Sequence, residues 1–251
     1  MMLTIKTQTV KATRFQAAIF DMDGVVTRTA VVHARAWKRM FDEFLESYSQ
    51  ARGEPFQEFD PDQDYTQYVD GLPRLDGIRK FLASRHIELP EGNENDGETE
   101  STVHGLGKRK NRFFNEVLER DGVEVYPDTL KKINEWRQAG LKTAIVSSSR
   151  NCRSVIARGG VEELFDVRVD GEVSRQLGLK GKPGPDIFLE AAARLDLEPS
   201  QCMVFEDAIS GVQAGRAGHF GLVVGVARKD NHQELTENGA DIAVAKLTEL
   251  A

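Results

Sequence analysis

Two aspartates two residues apart, Asp21 and Asp23, follow directly on the uncharged run Ala17-Ala18-Ile19-Phe20 and are followed in turn by Gly24. Residues i and i+2 of an extended segment point the same way, so the two carboxylates can face one small volume. Gly24 permits a tight turn immediately behind them. On its own this pattern fits an Asp-rich turn after a strand equally well. Other residues with chemical potential end similar apolar runs: Ser147 after Leu141–Val146, and Glu206 with Asp207 after Cys202–Phe205. Lys182 stands in Gly181-Lys182-Pro183-Gly184-Pro185-Asp186, just before a helical pattern. The set combines acidic groups able to hold a hard cation, a hydroxyl and an ammonium. Mg²⁺ suits it, since that ion takes oxygen ligands and needs few protein carboxylates. With the cation and Lys182 offsetting charge on a phosphoryl group, a carboxylate could attack phosphorus despite the like charge.

Such residues work together only if the chain brings their strands side by side. The short continuous apolar runs are those of strands buried on both faces. Strands are expected at 17–20, 141–146, 165–169, 202–205, 221–226 and 242–244, with helices over 128–139, from 152 to about 158, 185–195 and 208–217 and a last helical turn at 247–250. Gly140 is the expected C′ residue of the first of these helices. Strand and helix alternate at βαβ spacing, which predicts an α/β fold with a doubly wound, mostly parallel sheet. In such a sheet the carboxyl ends of the strands share one edge, where ligands bind.

Residues 31–122 read differently. Helical spacing runs through Val31–Tyr48, with Ala34, Trp37, Met40, Phe41, Phe44 and Leu45 on the apolar face. It returns in Tyr65–His86 around a break at Asp70-Gly71-Leu72-Pro73, and in Lys108–Arg120. Ser49–Asp64 reads as a connection, and the acidic, polar stretch Glu91–Thr102 as a solvated, mobile loop. No run of a buried strand interrupts these helices. The expected division is therefore core 1–29, helical cap 30–122 inserted after the first strand, and core 123–251.

The net charge of −7 over 251 residues, with 40% hydrophobic and 29% charged residues, describes an ordinary globule and speaks against nucleic-acid or anionic-membrane partners. No apolar run has the length of a membrane span, and residues 1–15 lack the apolar stretch of a signal peptide. Two cysteines, Cys152 and Cys202, are too few for a disulfide framework or a thiolate zinc site. A cytosolic monomer or weak homo-oligomer is expected. Neither a P-loop nor a glycine-rich dinucleotide fingerprint is present.

Asp21-Met22-Asp23-Gly24-Val25-Val26-Thr27, the strand-end Ser147, Lys182-Pro183-Gly184-Pro185-Asp186 and the Glu206-Asp207 pair resemble, in order, the four motifs of the haloacid dehalogenase-like superfamily. The resemblance implies that Asp21 is a nucleophile that becomes an aspartyl phosphate and that Asp23 is the general acid–base. It implies that Ser147 and Lys182 bind the phosphoryl group. Mg²⁺ would be held by Asp21, the Asp23 carbonyl and Asp207, with Glu206 as a ligand or as a partner behind the ligands. Dehalogenases of the superfamily lack the second aspartate, so Asp23 favours phosphoryl chemistry.

The helical insert resembles the cap of the β-phosphoglucomutase-like subfamily. On that likeness Thr29 falls at the hinge, His33 and Trp37 lie one helical turn apart, and Arg74 grips a second, non-reacting phosphate. Lys110, in Arg109-Lys110-Asn111, reaches the sugar, and Ser149, Arg150 and Asn151 add to the distal site. Each has a plainer reading: Trp37 as core, His33 as a helix histidine, Arg74, Arg109 and Arg150 as solvated charges. Arg28 stands where the subfamily usually has an acidic residue, Arg150 where it has lysine, and the stretch 49–102 is longer than usual. The implied activity is interconversion of β-glucose 1-phosphate and glucose 6-phosphate through a 1,6-bisphosphate. The alternatives are a sugar-phosphate phosphatase on the same scaffold and, less favoured by the paired aspartates, a non-catalytic sugar-phosphate sensor.

Overall fold

A computed structural model of the protein describes residues 15–70 and 72–250. Residues 1–14, most of the segment without the apolar stretch of a signal peptide, Gly71 of the expected cap break, and residue 251 lie outside the described residues. The chain forms two compact units, one taking in the residues up to Arg28 and from Glu124 onward, the other Thr29–Val123.

The first unit is built on a six-stranded sheet: β1 (Ala17–Asp21), β2 (Lys142–Val146), β3 (Val167–Val169), β4 (Cys202–Glu206), β5 (Leu222–Val226) and β6 (Ile242–Val244). The spatial order is β3-β2-β1-β4-β5-β6, and every neighbouring pair is parallel. The expected parallel sheet is therefore present. β1 lies at its centre because Ala17–Phe20 offer apolar side chains to both faces and are fully buried. On one face Ile19 joins Val146, Val204, Phe188 and Val212 in a continuous core. On the other, Phe20 stacks on Phe205 at 4.8 Å and on Trp136 at 6.1 Å. Burial of each such side chain is worth about 2 kcal/mol.

The chain runs outward from β1 through β2 to β3, then returns across β1 to β4. The reversal lies between β1 and β4, the topological switch point of a doubly wound sheet. Asp21 and Glu206 are the last residues of these two strands. The helices of this unit are α4 (Pro127–Gln138), α5 (Cys152–Arg158), α6 (Gly171–Leu177), α7 (Asp186–Arg194), α8 (Ile209–Ala217) and α9 (His232–Glu237). Gly140, with φ of +88°, follows α4 as its C′ residue. Helices α6 and α9 have no counterpart in the sequence reading. α6 contributes no buried residue and α9 only Leu235, so neither carries an apolar period to read.

The second unit is helical, and no strand occurs among its described residues. It comprises α1 (Thr29–Arg52), α2 (Arg74–Ser84) and α3 (Val103–Asp121). Its core is aromatic: Phe41 lies 5.4 Å from Trp37, 5.1 Å from Phe59 and 4.1 Å from Phe81. Two sequence readings need correction. The stretch 49–64 is not a plain connection, since α1 continues to Arg52 and the fully buried Phe59 plugs the core. Phe59 is held there by the Asp42 carboxylate on its amide (2.8 Å) and by the Lys38 ammonium on its carbonyl (3.0 Å).

The acidic stretch 91–102 is largely solvated but well tied. Asp96 is buried and accepts the Thr102 hydroxyl at 2.6 Å, while Thr102 caps α3 by accepting the Gly105 amide at 2.9 Å. Arg112 Nε reaches Glu98 at 2.8 Å. Tyr65–Val69 is a single π-turn ahead of the break before α2, closed by the Asp70 amide on the Tyr65 carbonyl at 2.9 Å.

Candidate active site

At the end of β1 the Asp21 carboxylate is fixed at both oxygens. Oδ2 accepts the Asp23 amide at 2.8 Å, and Oδ1 accepts the Lys182 ammonium. The backbone turn that aims Asp23 beside Asp21 is thus the same turn that orients Asp21. Lys182 also donates to Glu206 Oε1 at 2.5 Å, and the other Glu206 oxygen accepts the Ala208 amide at 2.7 Å. The three side chains Asp21, Lys182 and Glu206 are all less than a tenth exposed.

Ser147, fully buried at the end of β2, donates its hydroxyl to Asp23 Oδ2 at 3.2 Å and accepts the Ser149 amide at 3.1 Å. Asp21, Asp23, Ser147, Lys182 and Glu206 therefore form one connected network. Asp207 lies beside it, packed against Gly24: a Cβ on Gly24 would come within 1.9 Å of Asp207 Oδ2. Only glycine, here at φ of +81°, lets the turn lie against that carboxylate.

Burial is the largest influence on Asp21 and pushes its carboxyl up to about 8. Lys182 pulls it back, and Glu206 and Asp23 add to the rise. Burial would lower the Lys182 ammonium, but Asp21 and Glu206 beside it outweigh that and hold it above its ordinary value. Two carboxyl groups, Asp21 and Glu206, meet the one ammonium, and Asp23 and Asp207 add further acidic groups beside the same turn. Among the described residues no three His, Cys, Asp or Glu side chains make a ready metal cluster. The arrangement instead suits a hard divalent ion held by one or two carboxylates, a carbonyl and water, with phosphate oxygens completing the shell.

The rest of the serine run is more open. Ser148 and Arg150 are exposed and Ser149 and Asn151 half-buried. Arg150 Nε lies 3.9 Å from Glu172, and Ser149 Oγ accepts the Asn151 amide at 3.1 Å. Arg28 lies 3.5 Å from the exposed Glu124.

In the helical unit three of the expected residues converge. Lys110, 3% exposed, has its Nζ 2.7 Å from His33 Nδ1, and the same ammonium lies 4.9 Å from the Trp37 ring centre. Trp37, 3% exposed and stacked on Phe41, is a core residue whose outer face carries Lys110. Arg74 donates to the Asn111 side chain at 2.8 Å and to the Gly107 carbonyl at 3.3 Å. Thr29 is buried at the start of α1.

Sequence reasoning passed over Gly211. A Cβ there would lie 1.8 Å from Glu206 Oε1, so this glycine of α8 makes room for the carboxylate that holds Lys182. A glycine five residues beyond Glu206, inside a helix it disfavours, was the available signal.

A central parallel sheet with a buried carboxylate–lysine network at its switch point defines an α/β protein with a polar site at its strand ends. The chain belongs to the haloacid dehalogenase-like hydrolase family, whose model matches residues 15–219. It is 45% identical over 240 residues to a β-phosphoglucomutase of Mycobacterium bovis, covering 94% of this chain and 92% of that one. A β-phosphoglucomutase of Bacillus subtilis is 31% identical over 237 residues, 94% of this chain and 91% of its own. A crystal structure of β-phosphoglucomutase from Clostridium difficile matches with a TM-score of 0.74 at 22% identity, covering 94% of this chain and 93% of that one. At that identity the structural match speaks for the fold.

Proposed function

We propose that this protein is a Mg²⁺-dependent phosphomutase that interconverts β-glucose 1-phosphate and glucose 6-phosphate through a 1,6-bisphosphate. The observation that carries the chemistry is the doubly held Asp21, one oxygen on the Asp23 amide and the other on Lys182. An acceptor carboxylate fixed in this way is oriented before the phosphate arrives, which removes part of the entropic barrier to attack. The high identity to proteins named β-phosphoglucomutase supports the choice of reaction and of sugar.

In this reading Asp21 attacks phosphorus and carries the phosphoryl group as an aspartyl phosphate. Asp23 gives a proton to the departing sugar oxygen and takes one from the hydroxyl that attacks next. Its hydrogen bond from Ser147 keeps that carboxylate turned to the site. Ser147 and Lys182 receive phosphoryl oxygens, and Glu206 holds Lys182 in place through Oε1, behind the metal ligands. Asp21, Asp207 and the Asp23 carbonyl would hold Mg²⁺, which when bound offsets charge on the transferring group.

A mutase also needs a second phosphate-binding group, since its intermediate carries two phosphates. Arg74 provides a guanidinium fork pre-set by Asn111 and Gly107. Lys110, with His33 behind it, is proposed to meet the sugar. Arg150, exposed beside Glu172, contributes less to the distal phosphate.

The test is incubation with β-glucose 1-phosphate, Mg²⁺ and a trace of glucose 1,6-bisphosphate, following glucose 6-phosphate and free phosphate together. Glucose 6-phosphate in excess of free phosphate is expected. Free phosphate alone would make the protein a phosphatase, and neither product across a panel of sugar phosphates would leave it a sensor.

A further inference from the structure

Arg228, just beyond β5, was not singled out in the sequence, yet its guanidinium is engaged on every side. It has five N–H donors and an acceptor for each direction they point. Nε donates to the Gly24 carbonyl at 3.3 Å, and Nη2 to the Val25 carbonyl at 3.4 Å and the Thr129 hydroxyl at 2.9 Å. Nη1 meets both Asp128 oxygens at 3.1 and 3.0 Å and the Ala245 carbonyl at 3.0 Å. The Tyr126 ring lies 3.9 Å under the guanidinium carbon. Arg228 and Asp128 are each about one-tenth exposed in their side chains.

The two carbonyls it holds are those directly behind Asp23. The turn they belong to is otherwise closed by its own amides, Gly24 on the Thr27 carbonyl (2.8 Å) and Val26 and Thr27 on the Met22 carbonyl (3.0 and 2.9 Å). The Thr129 hydroxyl donates to the Val25 carbonyl at 2.8 Å while accepting from Arg228, so α4 and the segment after β5 grip the turn together. The Gly24 side of the same turn lies against Asp207.

We propose that Arg228, anchored by Asp128, is a positioning residue that fixes the 22–27 turn and thereby the place of the Asp23 carboxylate. A lysine cannot replace it, because one ammonium cannot reach two carbonyls, a hydroxyl and a carboxylate in different directions. The inference rests on the reading that Asp23 moves protons during turnover, though not on which sugar is used.

The test compares wild type, Arg228→Lys and Asp128→Asn, with Arg216→Lys as a control from an exposed ion pair of the same unit. Turnover is measured on p-nitrophenyl phosphate with Mg²⁺, a reaction that uses Asp21 and Asp23 but no sugar. A chain that rejects β-glucose 1-phosphate would overturn the mutase reading and leave this one standing. Arg228→Lys is expected to lower kcat about 100-fold with KM changed no more than about twofold, as for a misplaced reacting group. Asp128→Asn should fall in the same direction by a smaller factor, and Arg216→Lys should match wild type. In metal-free protein, the Gly24, Val26 and Thr27 amides of Arg228→Lys should exchange with solvent about tenfold faster, with those of β4 unchanged. Unchanged kcat per folded molecule, or unchanged exchange in the turn, would overturn the proposal. If Arg228→Lys does not fold, Asp128→Asn carries the same two readouts.

Discussion

The two units place chemically useful side chains in opposite ways. In the sheet unit Asp21, Asp23, Ser147 and Glu206 stand at strand ends, and backbone amides fix Asp21, Ser147 and Glu206: Asp23 N on Asp21, Ser149 N on Ser147, Ala208 N on Glu206. In the helical unit Arg74, His33 and Lys110 stand on helices and are held mainly by side chains, Arg74 by Asn111 and His33 by Lys110. Backbone placement is stiff, because moving the carboxylate means moving a strand. Side-chain placement is adaptable, because rotamers can change without the helix moving. Bond-making suits the first kind of scaffold and choice of substrate the second. The contrast predicts that damage to the sheet unit lowers kcat, whereas damage to the helical unit raises KM.

The largest effect is expected at Asp21. Asp21→Asn preserves shape but removes the proposed nucleophile, and turnover should fall by about 10⁴-fold or more. Circular dichroism should show the same fold, since the asparagine leaves the buried packing intact. Turnover within tenfold of wild type would remove Asp21 from its role and with it the distinction drawn between the units.

Glu206→Gln probes the same network one step back. It leaves Lys182 with a single charged partner in a buried site, where breaking an ion pair costs about 3 kcal/mol. Both the melting temperature and kcat should drop, the latter by about 100-fold as Lys182 loses its aim. A variant that melts earlier yet turns over normally would show that Glu206 serves the fold alone. Gly211→Ala should mimic it sterically, because the new methyl occupies the place of the Glu206 carboxylate.

How much of this could be read from sequence follows the same division. Continuous apolar runs announce buried parallel strands, and the residue that ends each run is legible too, so Asp21, Ser147, Glu206 and Asp207 could be named in advance. Arg228 could not, because its partners Gly24 and Val25 lie about 200 positions away and only the fold brings them near. Gly211 was hidden for a related reason: its purpose is clearance for one carboxylate oxygen. Along 91–102 the acidic composition was plain, but Asp96 looks like its neighbours until the Thr102 hydroxyl is seen on it. Phe59 was lost in a polar stretch because a single plug residue has no period.

Arg74→Ala sharpens the comparison from the other side. The arginine is half-buried and held by Asn111 and Gly107, so its removal takes away a guanidinium without opening the aromatic core. KM for the sugar phosphate should rise about tenfold with kcat much less affected, and stability should change by no more than about 0.5 kcal/mol. An unchanged KM would reduce Arg74 to a surface charge. A fall in kcat alone would blur the boundary between the two kinds of scaffold.

The smallest effect is expected at Thr102, which belongs to the helical unit but to none of its candidate groups. Thr102→Ala removes the cap of α3 and should cost about 1 kcal/mol, read as a lower melting temperature. Turnover should match wild type at temperatures where the protein is folded, because Lys110 lies two turns further along the helix. The loss should itself depend on pH. The Thr102 hydroxyl is the largest influence holding the Asp96 carboxyl below its ordinary value, so the contribution of that bond is present above the unfolded carboxyl's pKa and disappears as pH falls through the folded one. The gap between wild type and variant should therefore be widest near neutrality and narrow in acid to what the Gly105 cap alone contributes. A constant gap across that range would show the cap acting through the Gly105 amide alone, with Asp96 a bystander.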